Sequence, residues 1–371
     1  EKNADIFRNI GLCLDDGEDR CTIELNEQTI KDISGILENL RKIEGFQTDS
    51  RKKRGCKMVK EQLSTFTHPG DYLCWMEVDR GNGMLSLCSV PTAMRGNLNR
   101  NLWSMPNTHW VLTSGTMKDD TGFRYFKHEL GISGNIPEGA TLEHSNGSPF
   151  DYKNHTRLYI SENVPFPDMD DPEYIQAVCD EIVKLVHATR GHTAILFTSY
   201  RMLRMVYEKV KKRLLDYRLI QMTRSDKTAI GQFKREKNSV LFASGSMWEG
   251  VDCAGDVLSS VIIVRLPFPL RSQLMEYKKT QYDTVREFVQ ECAIPQMIIK
   301  LRQGAGRLIR TENDTGVIAI LDSRAAKNGP YRERVLTALS QYPLTPSIYG
   351  VEQFISAVKG TEYLEGGRAS A

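Results

Sequence analysis

Gln303-Gly304-Ala305-Gly306-Arg307-Leu308-Ile309-Arg310 is the stretch that decides how the rest of the chain is read. Proline is favoured in a first turn, so the spacing predicts a helix that begins near Pro295 and runs through this stretch. Gln303, Gly306, Arg307 and Arg310 then fall at offsets 0, 3, 4 and 7, on one face. Met297, Ile298, Leu301, Ala305 and Leu308 line the other face, an apolar stripe suited to packing on a sheet. A surface helix commonly turns such a polar stripe towards water. Two arginines beside a glycine that clears space also suit a polyphosphate with charge developing on its outermost group. Spacing alone leaves both readings open, and the flanking segments decide between them.

Working outward, residues 317–321 read as a buried strand that ends at Asp322-Ser323-Arg324. Residues 261–264 form another, followed by Pro267-Phe268-Pro269, and a long helical region then leads into the opening stretch. Earlier, the strand at 240–243 breaks into Ser244-Gly245-Ser246-Met247-Trp248-Glu249-Gly250-Val251-Asp252. The strand at 193–197 ends in Thr198-Ser199-Tyr200-Arg201. A helix over 172–190 precedes it, with Ile175, Val178, Cys179, Ile182, Leu185 and Val186 facing a core. A helix to about 215, a strand near 219–221 and a helix near 228–237 fill the interval before 240. This alternation from about residue 118 is the pattern of a parallel α/β sheet.

Residues 109–113 read as a short buried strand that runs into Ser114-Gly115-Thr116-Met117. Four strands therefore end in polar loops, and in a parallel sheet such carboxyl ends line one edge. Backbone amides, hydroxyls and arginines gathered there suit the phosphates of a nucleotide or of a nucleic-acid backbone. Taken alone, Ser114-Gly115-Thr116 reads better as a plain strand-to-loop turn.

The amino-terminal part differs in character. Residues 1–69 read as helical and highly charged, with Ile30, Ile33, Ile36, Leu37, Leu40 and Ile43 at helical spacing. Arg51-Lys52-Lys53-Arg54 reads as a solvated loop, with a nucleic-acid patch as the alternative. A second helical run passes through Val59, Leu63 and Phe66. The apolar runs at 72–78 and 84–88 flank Gly81-Asn82-Gly83 and predict a β-hairpin.

A length of 371 residues points to two domains or three, and 40% hydrophobic content with 14 prolines is ordinary for a globular protein. No apolar run is long enough for a membrane span, and Glu1-Lys2-Asn3 does not open a signal peptide. The absence of an initiator Met is expected of a fragment or trimmed chain. Eight cysteines without Cys-x-x-Cys pairing argue against zinc and disulfide scaffolds and suit a reducing cytoplasm. The net charge of +2 makes local clustering, not global basicity, the source of any nucleic-acid site.

In order and spacing over roughly residues 70–340, these loops resemble the C-terminal half of a superfamily 2 helicase of the XPD/DinG type. Gln303-x-x-Gly306-Arg307-x-x-Arg310 resembles that family's motif VI, Trp248-Glu249-Gly250-Val251-Asp252 motif V, Thr198-Ser199-Tyr200 motif IV, and Ser114-Gly115-Thr116 motif III. The resemblance implies a RecA-like parallel sheet flanked by helices as the second motor domain, over 118–371. It further implies that 70–117 is the tail of the first motor domain and that 1–69 is an arch-like helical insert.

Carried over position by position, the resemblance makes Arg307 and Arg310 arginine fingers for the γ-phosphate of ATP, with Gln303 seating that phosphate or its attacking water. Asp252, Glu249, Gly250 and Gly306 would lie by the nucleotide and its coupling network, and Ser114 and Thr116 would link nucleotide state to domain closure. Ser199, Tyr200 and Ser244 would lie along the nucleic-acid track. Trp248 would stack on a base or pack in the core beneath its loop.

Neither Gly-x-x-x-x-Gly-Lys-Ser/Thr nor Asp-Glu-Ala-His occurs in the sequence. The family's order puts both, with the iron–sulfur cysteines, upstream of Glu1, so ATP and Mg²⁺ are expected to bind mainly to a first motor domain outside these residues. No metal or iron–sulfur site is expected within them. The expected partners are single-stranded DNA and that first motor domain, in the cytoplasm and away from membranes, with 5′-to-3′ travel implied by the resemblance. The rival expectations are a non-enzymatic nucleic-acid-binding module and an RNA remodeller.

Overall fold

The computed structural model describes residues 20–23, 25–68, 70–79, 84–133, 136–137, 139–222, 228–248 and 252–365. The Gly81-Asn82-Gly83 turn, the residues Glu249, Gly250 and Val251, and the Gly/Ala/Ser-rich tail lie outside them. The chain divides into two compact units. One comprises the described residues of Glu1–Val111 with Phe126–Thr141 and Leu270–Val289; the other comprises Leu112–Tyr125, Leu142–Pro269 and the described residues of Gln290–Ala371.

In the first unit, strands β1 (Arg20–Ile23), β2 (Tyr72–Asp79) and β3 (Met84–Pro91) form an antiparallel sheet in that order. The hairpin read from the sequence is β2–β3, in register from Asp79 opposite Met84 to Tyr72 opposite Pro91. Helices α1 (Glu27–Phe46) and α2 (Ser50–Ser64) follow β1. Asn26 caps α1 by accepting the Thr29 N–H at 2.8 Å, and Asp49 caps α2 by accepting that of Arg51 at 2.8 Å. Ile33, Leu37 and Phe66 make a small core, with Leu25, Leu63, Cys74 and Leu87 packed on it.

Two expectations for residues 1–69 are corrected here. The segment is not wholly helical, because Arg20–Ile23 pairs antiparallel with β2. The basic run Arg51 to Arg54 is not a loop but the start of α2, where the Asp49 cap holds the first turn; all four side chains are exposed.

In the second unit, seven strands lie in the order β10-β4-β9-β8-β5-β7-β6, every neighbouring pair parallel. They are β4 (Thr156–Ile160), β5 (Thr193–Phe197), β6 (Arg218–Gln221), β7 (Ser239–Ser244), β8 (Ser260–Ile263), β9 (Gly316–Ile320) and β10 (Leu344–Thr345). Runs such as Thr-Ala-Ile-Leu-Phe and Gly-Val-Ile-Ala-Ile are buried at every position, as a sheet covered on both faces requires. The longer flanking helices are α3 (Pro172–Ala188), α4 (Tyr200–Val210), α5 (Thr228–Arg235), α6 (Ile294–Ala305) and α7 (Ile348–Val358). Asp171 caps α3, Pro172 fills its first turn, and Ile175, Val178, Cys179, Ile182, Leu185 and Val186 are all buried, as the spacing predicts. This is the α/β, RecA-like arrangement expected from the sequence.

Strands β4 and β10 were not anticipated. β4 reads Thr-Arg-Leu-Tyr-Ile, and Arg157 interrupts its apolar run while its guanidinium lies 4.4 Å from the Phe354 ring centroid. Conversely, residues 109–113 form no strand. Val111 is 86% exposed, Trp110 and Leu112 are also exposed, and no described strand runs beside them to complete a ladder.

Candidate functional site

Helix α6 carries the site's foundation. Met297, Ile298, Leu301, Ala305 and Leu308 are fully buried, as their spacing required. The helix nevertheless stops at Ala305, with Gly306 as its C-cap donating its N–H to the Arg302 carbonyl at 2.8 Å. Of Gln303, Gly306, Arg307 and Arg310, only Gln303 is therefore helical. Arg307 lies in the following turn and Arg310 beyond it, so the expected single helical face is corrected to a helix end plus a loop.

Two neighbours on α6 reach the segment that follows residue 114. Gln303 Nε2 donates to Thr116 Oγ1 at 3.4 Å. Arg302 donates from Nη1 to the carbonyls of Lys118 and Asp119, at 2.8 and 3.0 Å, and from Nε to that of Ala338 at 3.0 Å. Burial lowers the Arg302 pKa, and three carbonyl acceptors stand in for the water it has lost. The sequence reading did not single out Arg302.

The loop after β7 meets the same helix. Trp248 is 1% exposed and donates from Nε1 to the Phe197 carbonyl at the end of β5, at 3.1 Å. Of the two readings for this tryptophan, the core one holds. Its own carbonyl accepts from Nε and Nη2 of Arg307, at 3.3 and 3.2 Å. Arg310 Nε lies 3.4 Å from Asp252 Oδ1. Arg307 and Arg310 thus each meet a residue of the Trp248 to Asp252 stretch.

Asp314, a second residue missed in the sequence, ties these loops together. It is 4% exposed, and its carboxylate accepts the N–H groups of Arg310 (2.7 Å), Thr311 (2.8 Å) and Gly255 (2.9 Å) and the Thr311 hydroxyl (2.8 Å). Burial alone would raise its pKa, but the hydrogen bonds from Thr311, Arg310 and Gly255 outweigh it and hold the pKa below the usual carboxylate range. The Thr311-x-x-Asp314 spacing, akin to a capping pair, was the available signal.

The residues assigned to a nucleic-acid track sit on adjacent strand ends, since Phe197 of β5 lies opposite Ser244 of β7. Ser199 caps α4 through the Met202 N–H at 3.2 Å, and Tyr200 opens that helix. A Cβ on Gly245 would stand 3.4 Å from the Tyr200 hydroxyl, so the two loop starts touch. Ser244 is buried, and its side chain does not line an open surface. Among the other strand ends, Asp322 is fully buried and forks onto Arg324 through Nε (2.9 Å) and Nη2 (2.7 Å). Among the described residues, no group of three His, Cys, Asp or Glu could hold a metal ion, and no helix is long and apolar enough to cross a membrane.

Residues 182–342 match the family model described as the helicase C-terminal domain. The chain is 30% identical over 301 residues to the ATP-dependent DNA helicase YoaA of Escherichia coli, covering 80% of this chain and 45% of that protein. It is 28% identical over 286 residues to the 3'-5' exonuclease DinG of Bacillus subtilis, covering 74% of this chain and 30% of that protein. It therefore spans less than half the length of either. An apo XPD structure shares the fold at a TM-score of 0.59 and 17% identity, over 93% of this chain and 68% of that one. The chain therefore carries a helicase C-terminal domain, is similar to bacterial helicases of the YoaA/DinG kind over most of its length, and shares the fold of XPD.

Proposed function

We propose that this chain supplies the second motor domain of an ATP-dependent DNA helicase, over residues 118–371. The tail of the first motor domain, 70–117, and an arch-like segment, 1–69, precede it. One observation supports the reading: the stretches that resemble motifs III, V and VI are joined by side chains, Gln303 to Thr116, Arg307 to the Trp248 carbonyl and Arg310 to Asp252. A solvated polar stripe has no reason to make these contacts.

In this reading ATP sits between two motor domains and supplies the bond whose hydrolysis drives the cycle. Arg307 and Arg310 stabilise charge on its outermost phosphate, which a first motor domain presents together with Mg²⁺. Gln303 seats that phosphate or the attacking water and, through Thr116, reports its state to the preceding segment. Gly306 ends the helix so that the arginines emerge from a loop. Asp252, Glu249 and Gly250 belong to the coupling loop by the ribose. Ser199, Tyr200 and Ser244 belong to the single-stranded DNA track, where amides and hydroxyls meet phosphates. Tyr200 and the backbone at Gly245 are the better placed of these groups, because the Ser244 side chain is buried. Residues 109–113 are an apolar run exposed in this chain, suited to completing the sheet of the first motor domain. Travel from 5′ to 3′ and a cytoplasmic site are part of the proposal, and residues 1–371 by themselves are expected to be inert as an ATPase.

The test is ATP hydrolysis by the native-length protein with and without single-stranded DNA, beside its Arg310→Ala variant. Stimulation by DNA should fall about 10³-fold or more in the variant, with DNA affinity largely retained. Equal loss of turnover and DNA binding would contradict this division of labour. A folded, DNA-binding native-length protein with no hydrolysis would make the chain part of a binding module instead.

A further inference from the structure

We infer that Asp314 is a positioning residue for Arg310, setting the reach of that arginine from a distance. The inference rests on the reading of Arg310 as an arginine finger. Arg310 leaves the helix behind, since α6 ends at Ala305, so nothing in regular secondary structure fixes its backbone. Asp314 supplies what the helix does not. One carboxylate oxygen accepts the N–H groups of both Arg310 and Thr311; the other accepts the Thr311 hydroxyl and the Gly255 N–H. Gly255 lies just past Asp252, the residue whose carboxylate meets the Arg310 guanidinium at 3.4 Å.

Asp314 therefore sits at the closure of a ring. It fixes the backbone from which Arg310 projects and the backbone of the loop that receives the Arg310 side chain. Buried and held ionised by these donors, it keeps both segments in one relative setting. A misplacement of about 1 Å in a group of this kind can lower turnover about a hundredfold without touching substrate. An asparagine at 314 keeps one acceptor oxygen but puts an amide, which cannot accept an N–H, where the other stood.

The experiment uses the native-length protein and measures DNA-stimulated kcat and the KM for ATP well below each variant's Tm, with single-stranded DNA affinity alongside. Asp314→Asn should lower kcat about ten- to a hundredfold, change KM less than about threefold, and leave DNA affinity within about twofold. Asp314→Glu, which keeps both acceptor oxygens, should recover part of the loss. Thr311→Val, a milder change that removes only the hydroxyl donor, should lower kcat about two- to fivefold and keeps the test open if Asp314→Asn does not fold. In an Arg310→Lys background, Asp314→Asn should add less than about a further twofold loss, because both changes act through one group. A parent-like kcat in folded Asp314→Asn or Thr311→Val, or losses that multiply fully with Arg310→Lys, would overturn the inference. Full turnover in Arg310→Ala would instead overturn the finger reading itself, a separate outcome.

Discussion

Gly304 lies directly beneath the indole of Trp248: a Cβ there would stand 2.8 Å from Cζ3 and 2.9 Å from Cε3 of the ring, and 3.3 Å from Leu196 Cδ1. The glycine that clears space in the opening stretch is therefore Gly304, and what it admits is a protein side chain. Trp248 has little room to retreat, since its Nε1 is committed to the Phe197 carbonyl and Lys300 Nζ lies 5.7 Å from its ring centroid.

Gly304→Ala sets two effects against each other. Alanine within a helix gains roughly 1 kcal/mol over glycine, whereas overpacking a filled core costs about 1–3 kcal/mol. The overlap here falls on a ring held on several sides, so the second effect should win. Urea unfolding should show Gly304→Ala less stable by about 1–2 kcal/mol. Equal or greater stability would mean that the indole moves freely, and that Trp248 does not fix the carbonyl on which Arg307 rests.

The fold was legible wherever the physics left one solution. Runs such as 193–197 and 317–321 fit a strand buried on both faces, and the stripe from Met297 to Ala305 fits a helix on a sheet. Legibility failed where tertiary partners decide. β4 was hidden by Arg157, whose charge covers an aromatic ring, and residues 109–113 have strand composition but no described strand beside them. At the site, the spacing that put Gln303, Arg307 and Arg310 on one face presumed a helix that Gly306 ends. Asp314 escaped notice because an aspartate in Thr-Glu-Asn-Asp reads as a turn; that it collects four hydrogen bonds depends on Gly255, remote in sequence.

His192 makes the stability of the second unit sensitive to mild acid. Its ring stacks on Tyr363 at 4.2 Å between centroids, and its Nε2 lies 2.6 Å from Asn238 Oδ1. Burial, aided by the charge of Lys359, lowers its pKa below 6.5, although Asn238 and Asp256 pull it upward. The folded state thus binds this proton less readily than the unfolded chain does. As pH falls through about 6.5, the unfolded state takes it up first and stability declines, until the folded pKa is passed. One such group contributes a slope of at most about 1.4 kcal/mol per pH unit. Unfolding free energies between pH 7.5 and pH 5 should fall less steeply in His192→Gln than in the parent. Parallel curves would show that the acid limb belongs to other groups.

Lys359 and Asp256 form an ion pair whose two ends should respond very differently to removal. The lysine side chain is 3% exposed and the aspartate 59% exposed. Lys359 Nζ donates to Asp256 Oδ1 at 2.6 Å and to the Thr315 carbonyl at 2.8 Å, and it lies 5.1 Å from the Tyr363 ring centroid. Burial lowers its pKa despite the attraction of Asp256, so the ammonium is held where water solvates it poorly. Asp256→Ala strands that buried charge. Breaking a fully buried pair costs about 3–5 kcal/mol, but Asp256 faces water, which partly replaces it, so about 1–2 kcal/mol is expected. Lys359→Met removes the buried charge and leaves a solvated carboxylate, at a loss below about 1 kcal/mol. Once Lys359 is methionine, Asp256→Ala should be nearly silent in denaturant unfolding. A larger loss in Lys359→Met than in Asp256→Ala would reverse the assignment, making the lysine's contacts with Thr315 and Tyr363, and not its neutralisation, the source of its stabilising effect.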